Sequence, residues 1–266
     1  MKVLFLDAYN LIHRARSGFS QGEHPIIYNF FRGVRPIIEK FSPDKVYFVL
    51  EGYPKFRSEI SGGNYKANRP NPGNSFHRQK AAIIDLVSAH FPFDTIKHPD
   101  LECDDTIATM ASIHCKNSDD VTIVSSDSDF IQLLNAFDNL RIYHPIKKKF
   151  IEKPEYDYVM WKALRGDLTD NISGIPGVGD KTADKLMRNP ELLQEKLSNP
   201  VYKQIFENNV NLIRLVDFSD NLSVMESKTG DGDFEQIYAY FDELGFDSML
   251  KEKTWSKYVQ TFGGLV

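Results

Sequence analysis

Leu101-Glu102-Cys103-Asp104-Asp105-Thr106-Ile107-Ala108 and, further on, Val121-Thr122-Ile123-Val124-Ser125-Ser126-Asp127-Ser128-Asp129-Phe130 are the stretches that decide the fold. In the first, Ile107, Met110 and Ala111 recur at helical spacing behind a pair of aspartates, so a helix opens at the acids. In the second, a short β-rich apolar run stops at polar residues, as a buried strand does at its end. A helix followed by a buried strand is half of a parallel α/β unit, and such sheets gather ligands at the carboxyl ends of their strands. Glu102 and Asp105 share a helix face. Asp127 and Asp129 point the same way if the chain stays extended there.

Two like charges 4 Å apart repel by roughly 4 kcal/mol at an effective dielectric near 20. Protonation relieves this, and so does a hard divalent cation; ligands that are all oxygen favour Mg²⁺ or Mn²⁺. Taken singly, each acid reads as a helix cap or turn residue. Two clusters, one of them closing a buried strand, read better as a metal-binding basin.

Other strands point to the same edge. Val3 to Leu6 is a buried run ending on Asp7, and Val46 to Leu50 is a second ending on Glu51. The helix expected over Ala8 to Arg16 brings Asn10, His13, Arg14 and Arg16 near the first strand end, and Pro25 to Phe41 is a longer amphipathic helix. From Glu51 to Lys80 the sign reverses, with six bases (Lys55, Arg57, Lys66, Arg69, Arg78, Lys80) against two acids. The centre of that segment is dense in Gly, Pro and Asn and reads as a mobile loop. A basic loop beside an acidic basin suits a polyanion held by bases while metals act on one phosphate. Lys147, Lys148 and Lys149 form a small solvated turn. Gly174-Ile175-Pro176-Gly177-Val178-Gly179-Asp180-Lys181-Thr182-Ala183 has the form of a helix-hairpin-helix, whose glycines let backbone N–H groups meet phosphates at a helix N-terminus. No Walker signature is present.

The 266 residues allow one large domain or one with an appendage, and the net charge of −5 argues against a simple DNA-coating protein. Two cysteines give neither a disulfide framework nor zinc spacing, which points to a reducing, cytoplasmic compartment. The amino terminus is unlike a signal peptide, and no run is long enough to span a membrane.

Taken together, these blocks resemble the 5′-to-3′ exonuclease and flap endonuclease family, including bacterial polymerase 5′-nuclease domains and phage flap endonucleases. The resemblance is carried, in the family's order over roughly residues 3 to 190, by Leu6-Asp7-Ala8-Tyr9-Asn10-Leu11 with Arg14, Phe56-Arg57, Tyr65 to Pro70, Glu102 to Asp105, Ser126 to Asp129, Gly166 to Asn171 and Gly174 to Ala183. It implies a PIN-like α/β core of three layers with a mostly parallel central sheet over residues 1–165, a basic loop or arch at about 52–90, and a helical part over 166–266 that holds the hairpin element at about 172–188.

By the resemblance, Asp7, Glu51, Glu102, Asp104, Asp105, Asp127 and Asp129 match the first metal site and its bridge, and Asp167 and Asp170 the second, for two or more Mg²⁺ or Mn²⁺ ions. Lys66 matches the family's active-site lysine, with Asp7, Asp127 and Asp129 as the catalytic acids beside it. Arg57, Arg69, His13, Arg14, Gly174, Gly177, Gly179 and Lys181 fall to DNA contacts, and relatives also hold K⁺ through backbone carbonyls at the hairpin. The implied activity is hydrolysis of flapped, nicked or branched DNA, with RNA-primed 5′ ends left open, by a monomer that works beside replication proteins and not at a membrane. Two positions depart from the family: Glu51 stands where many relatives have Asp, and Ser128 where many have Lys. Two rival readings fit the sequence less well. A haloacid-dehalogenase-like phosphatase would place an Asp127-Ser128-Asp129 pair after the first strand, not late in the chain. A DNA-binding module with a spent site would not need the intact acid set.

Overall fold

The computed structural model describes residues 1–18 and 22–265. Strand β1 (Lys2–Asp7) lies at the centre because Val3 to Leu6 has no polar side chain to expose; all four are at most 2% accessible. Alternation splits the run between two faces. Leu4 and Leu6 join one core, Val3 and Phe5 the other. Helices α1 (Ala8–Ala15) and α2 (Pro25–Phe41) follow, then β2 (Lys45–Val49), which pairs parallel to β1 with Phe5 opposite Tyr47. The basic segment contains a short helix, α3 (Lys55–Ile60), before α4 (Asn74–His90) and β3 (Asp94–Lys97). Helix α5 (Cys103–Lys116) leads to β4 (Asp120–Val124), on the other side of β1. A 3₁₀ turn (Asp129–Leu133), β5 (Leu140–His144) and the short β6 (Lys149–Phe150) complete that half.

Helix α6 (Tyr158–Arg165) is followed by a two-strand ribbon, β7 (Gly166–Asp167) with β8 (Ile172–Ser173), and then by α7 (Asp180–Arg188), α8 (Pro190–Leu197) and α9 (Pro200–Ile213). The chain then returns to the core as β9 (Glu226–Thr229), α10 (Phe234–Glu243), α11 (Asp247–Leu250) and α12 (Glu252–Gly263).

The main sheet has the order β6-β5-β4-β1-β2-β3-β9 and is parallel except at its two outer strands. Helices cover both faces, as the all-apolar strands require. One layer packs α1, α2, α4, α10 and α12 on Leu4, Leu6, Val46 and Phe48. The other packs α5 and the 3₁₀ turn on Val3, Phe5, Tyr47 and Ile123. The division at residue 165 does not hold for the far carboxyl end. β9 pairs antiparallel to β3, and Ile237, Phe241, Tyr258 and Phe262 are buried in the same core as Phe31, Phe91 and Phe93. Residues 166–213, packed with α6, form the helical part that stands outside the sheet.

Candidate active site

Because β4, β1 and β2 are parallel neighbours, their carboxyl ends lie side by side, and the acids that follow them share one edge. Asp7 ends β1 and caps α1: its carboxylate accepts the Asn10 N–H at 3.0 Å and the Ser125 hydroxyl at 2.7 Å. Glu51 follows β2 by two residues. Gly52 beside it has no room for a Cβ, which would lie 1.9 Å from the His98 carbonyl oxygen and 2.2 Å from that of Leu101. That close approach presses the end of β2 onto the loop entering α5, and Glu51 accepts the Cys103 N–H at 3.2 Å. Glu102 caps α5 in a reciprocal capping box with Asp105. Asp127 accepts the Asp129 N–H at 2.8 Å, which folds the second acid turn onto itself.

Burial and mutual repulsion shape the charge here. Burial raises Asp7 to about 6, with Asp127 adding to the rise against the hydrogen bonds from Ser125 and Asn10. Burial lifts Glu51 to about 7, with Lys66 opposing and Glu102 reinforcing. Asp104 is pushed well above the ordinary carboxylate range by burial and then by Asp127 and Asp7. Asp129 rises to about 6, again chiefly by burial, although Lys162 pulls it down.

Cations sit among these acids. Lys66 pairs with Glu102, and the buried ammonium of Lys162 bridges Asp129 and Asp167, the latter at 2.6 Å. Burial alone would raise Asp167, but Lys162 and Thr169 outweigh it and hold the acid at about 2. Arg69 pairs with Asp170 at 2.5 Å. The Tyr65 hydroxyl lies 3.1 Å from Glu102 and 3.4 Å from Asp170, so its one proton can go to either acid across the basin. The segment read as a mobile loop is docked here. The Lys66 N–H donates to the Asp170 carbonyl, the Asn68 amide to that of Leu168 and the Asn171 amide to that of Asn64. Lys66 itself has φ +54°, a left-handed conformation that a non-glycine residue holds only where its surroundings enforce it.

Two expectations need correction. Arg57 is 3% accessible, so it is no open phosphate contact. Its guanidinium donates to Glu102, to both oxygens of Asp105, and to the carbonyls of Leu212 and Arg214. Asp105 is correspondingly spent. It is fully buried and also accepts the Val216 N–H at 2.8 Å, which gives it the contacts of an anchor and not those of an open metal ligand. Lys162 is the residue the sequence reading missed. Its only signal was a lysine on a helix face otherwise lined by Val159 and Ala163.

His13 and Arg14 fall on different sides of α1. His13 packs between Tyr9 and Phe76, where burial and the cations Arg16, Lys80 and Arg69 push it down to about 4. Arg14 lines a separate cleft of about 590 Å³ with Arg32 and Lys148. At the hairpin, Gly177 and Gly179 are open on their Cβ side, and exposed Lys181 lies in the first turn of α7 beside them. Gly174 is different. A Cβ there would lie 2.1 Å from the Arg165 carbonyl oxygen, so that glycine serves the packing of the ribbon on α6.

The donor set suits a hard divalent cation. It is all carboxylate oxygen, and two ammonium groups already stand in as counter-charges. Among the described residues, the one group of three His, Cys, Asp or Glu ligand atoms within 4.8 Å of one another is His90, Asp231 and Asp233, at the α4–α10 junction. Asp231 and Asp233 there already accept backbone N–H groups as turn and helix caps.

A pH effect follows. Asp7, Glu51 and Asp129 titrate near 6 to 7 in the fold, above their ordinary values, so between about pH 4 and 7 the native state holds protons that the unfolded chain has released. These groups therefore stabilise the metal-free protein less as pH rises through that window. Asp167 works in the opposite sense, but only below it. In EDTA, the melting temperature at pH 8 should lie at least ~5 °C below that at pH 5, with Mg²⁺ reversing the loss at pH 8. A melting temperature in EDTA that holds level or climbs toward pH 8 would count against buried, mutually repelling acids.

Residues 2–162 match the family described as 5′-3′ exonuclease, N-terminal resolvase-like domain. Thermostable DNA polymerase I of Thermus aquaticus is 30% identical over 94% of this chain and 33% of its own length. The 5′-3′ exonuclease of Aquifex aeolicus is 29% identical over 85% of this chain and 84% of its own. The chain thus spans about a third of the length of the polymerase relatives. Bacteriophage T5 flap endonuclease, solved as a pseudo-enzyme-product complex with DNA and metal ions, is similar with a TM-score of 0.66 over 100% of this chain and 99% of its own, at 18% identity. T5 5′-exonuclease with bound zinc gives 0.67 over 84% and 92%, at 20% identity. These structures share the mostly parallel sheet with flanking helices that the sequence implied. The match spans the sheet edge that carries Asp7, Glu51, Glu102 and Asp127, and the chain belongs to the 5′-3′ exonuclease family.

Proposed function

We propose that this chain is a structure-specific 5′ nuclease that hydrolyses phosphodiester bonds of flapped, nicked or branched DNA with Mg²⁺ or Mn²⁺ held in the basin. The observation that carries this reading is the continuous row of carboxylates from three adjacent strand ends through Glu102 and Asp104 to Asp167 and Asp170, with lysine ammoniums seated between them. Asp7, Glu51, Glu102, Asp104, Asp127 and Asp129 would hold one ion or a bridged pair, and Asp167 and Asp170 the second site. Bound divalent ions would supply the Lewis acidity that activates water and neutralises charge on the leaving 3′-oxygen. Lys66 stands at the mouth of the basin, where its ammonium can follow charge building on the scissile phosphate. Tyr65 and Arg69 hold Asp170 and the docked segment in register. The product carries a 5′-phosphate.

Gly177, Gly179 and Lys181 would meet the duplex backbone, through open N–H groups at the start of α7, which lacks a side-chain cap, and through one exposed ammonium. The carbonyls of the same turn would hold K⁺. The test is a 5′-labelled flap substrate incubated with Mg²⁺, with Mn²⁺ and with EDTA. Cleavage at the junction, dependent on divalent ion and leaving a 5′-phosphate, supports the reading. Binding without cleavage under all three conditions would make the chain a DNA-binding module.

A further inference from the structure

After α9 the chain runs as a strap without helix or strand over residues 214–218, and side chains beside the acid basin take up its backbone and the last carbonyls of α9. Arg57 donates to the Leu212 and Arg214 carbonyls at 2.8 and 3.0 Å. Gln132 donates to the Ile213 carbonyl and accepts the Leu215 N–H at 3.0 Å. Asp105 accepts the Val216 N–H, and Thr109 accepts the Phe218 N–H. These partners also position the acids. The same arginine fixes Glu102 and Asp105, and the same glutamine amide donates to the Asp129 carbonyl at 2.8 Å.

At its other end the strap is continuous with α9, which carries one buried amide. Asn209 is 5% accessible and donates from Nδ2 to the Ala163 carbonyl at 2.9 Å, at the end of α6, and to the Ser173 carbonyl at 2.8 Å, in the ribbon just before the hairpin. A buried amide is retained only where its hydrogen bonds are made, and these two join the duplex-facing turn to the helix that ends in the strap.

We propose that Asn209 and Gln132 are positioning residues that make metal loading in the acid basin depend on duplex DNA held at the Gly174–Gly179 hairpin. The route runs from the Ser173 carbonyl through Asn209 and α9 to the strap, and from the strap through Arg57 and Gln132 to Glu102, Asp105 and Asp129. Linkage makes the effect reciprocal: duplex tightens metal binding by the factor by which metal tightens duplex binding. The proposal rests on the nuclease reading for its purpose, but its test uses no cleavage.

Mn²⁺ affinity is measured on the full chain with and without a blunt DNA duplex. In the unsubstituted protein the duplex should tighten Mn²⁺ binding about tenfold, a coupling within the usual range. Asn209→Ala and Gln132→Ala, each confirmed to melt cooperatively, should reduce that factor below about twofold. A residue that merely supported the fold would weaken both affinities and leave their ratio alone. Amide hydrogen exchange gives a readout without any substitution: adding duplex should slow exchange at Leu215, Val216 and Phe218. No coupling in the unsubstituted protein, full coupling in either folded variant, or strap amides indifferent to duplex would each overturn the proposal. A protein that shows the coupling yet never cleaves a flap would sink the nuclease reading and leave this one standing.

Discussion

Lys66→Ala is expected to cleave a flap at least ~10²-fold more slowly at saturating enzyme while binding it within about tenfold of the unsubstituted protein. The ammonium pairs with Glu102, and burial, which alone would lower its pKa, is outweighed by Glu102, Asp104 and Asp170, so it stays charged throughout the working pH range. A fixed positive charge beside a reacting phosphate acts on the transition state more than on the ground state, and such groups govern turnover more than affinity. Removing one typically costs about 3–4 kcal/mol of barrier. Alanine carries the same Cβ as lysine and so adds no backbone penalty at this left-handed position, and the substitution removes the ammonium with its stem. Single-turnover rates separate the two effects. A variant that binds poorly but cleaves at a near-normal saturated rate would reduce Lys66 to a binding contact.

Arg57→Ala should lower folding stability by about 3–5 kcal/mol at neutral pH, the usual cost of removing one partner from a buried ion pair. The loss is large because, among the described residues, Arg57 is the one cation paired with Asp105. Asp105 is fully buried, Glu102 is 2% accessible, and the Leu212 and Arg214 carbonyls would also lose their donor. Arg57→Lys should recover little, because one ammonium cannot reproduce a planar fork that serves two carboxylates and two carbonyls. Urea unfolding with an unchanged slope measures the effect. A loss below about 1 kcal/mol would mean that Arg57 is a surface base after all.

The contrast between these two bases shows what the sequence could reveal. Both lie in the same basic segment, and sequence reports their sign but not their burial. The burial of Arg57 depends on residues 102–105 and 212–216, which approach only once the sheet and α9 are in place. The strand ends were legible because an apolar run that stops on an acid carries its own signal, as at Leu6-Asp7 and Val124 to Asp127. Lys162 was not legible, since its partners Asp129 and Asp167 come from two turns with no regular spacing to it. β9 was hidden for another reason. Glu226-Ser227-Lys228-Thr229 has no apolar alternation, because an outer strand exposed on both faces has no face to mark. The stretch read as a helix-hairpin-helix is a turn between β8 and α7, and of its glycines Gly177 and Gly179 have open Cβ sides.

The position of β9 bears on how this unit can be cut. The family match ends at residue 162, and a domain drawn from it would stop there. Such a fragment would leave the β3 backbone as a raw edge, open to pairing with any other strand. It would also strip Phe241, Tyr258 and Phe262 from the rings of Phe31, Phe91 and Phe93, leaving an aromatic floor bare to water. The stretch matched by the family model and the stretch that shares this core therefore have different ends, and the second reaches α12.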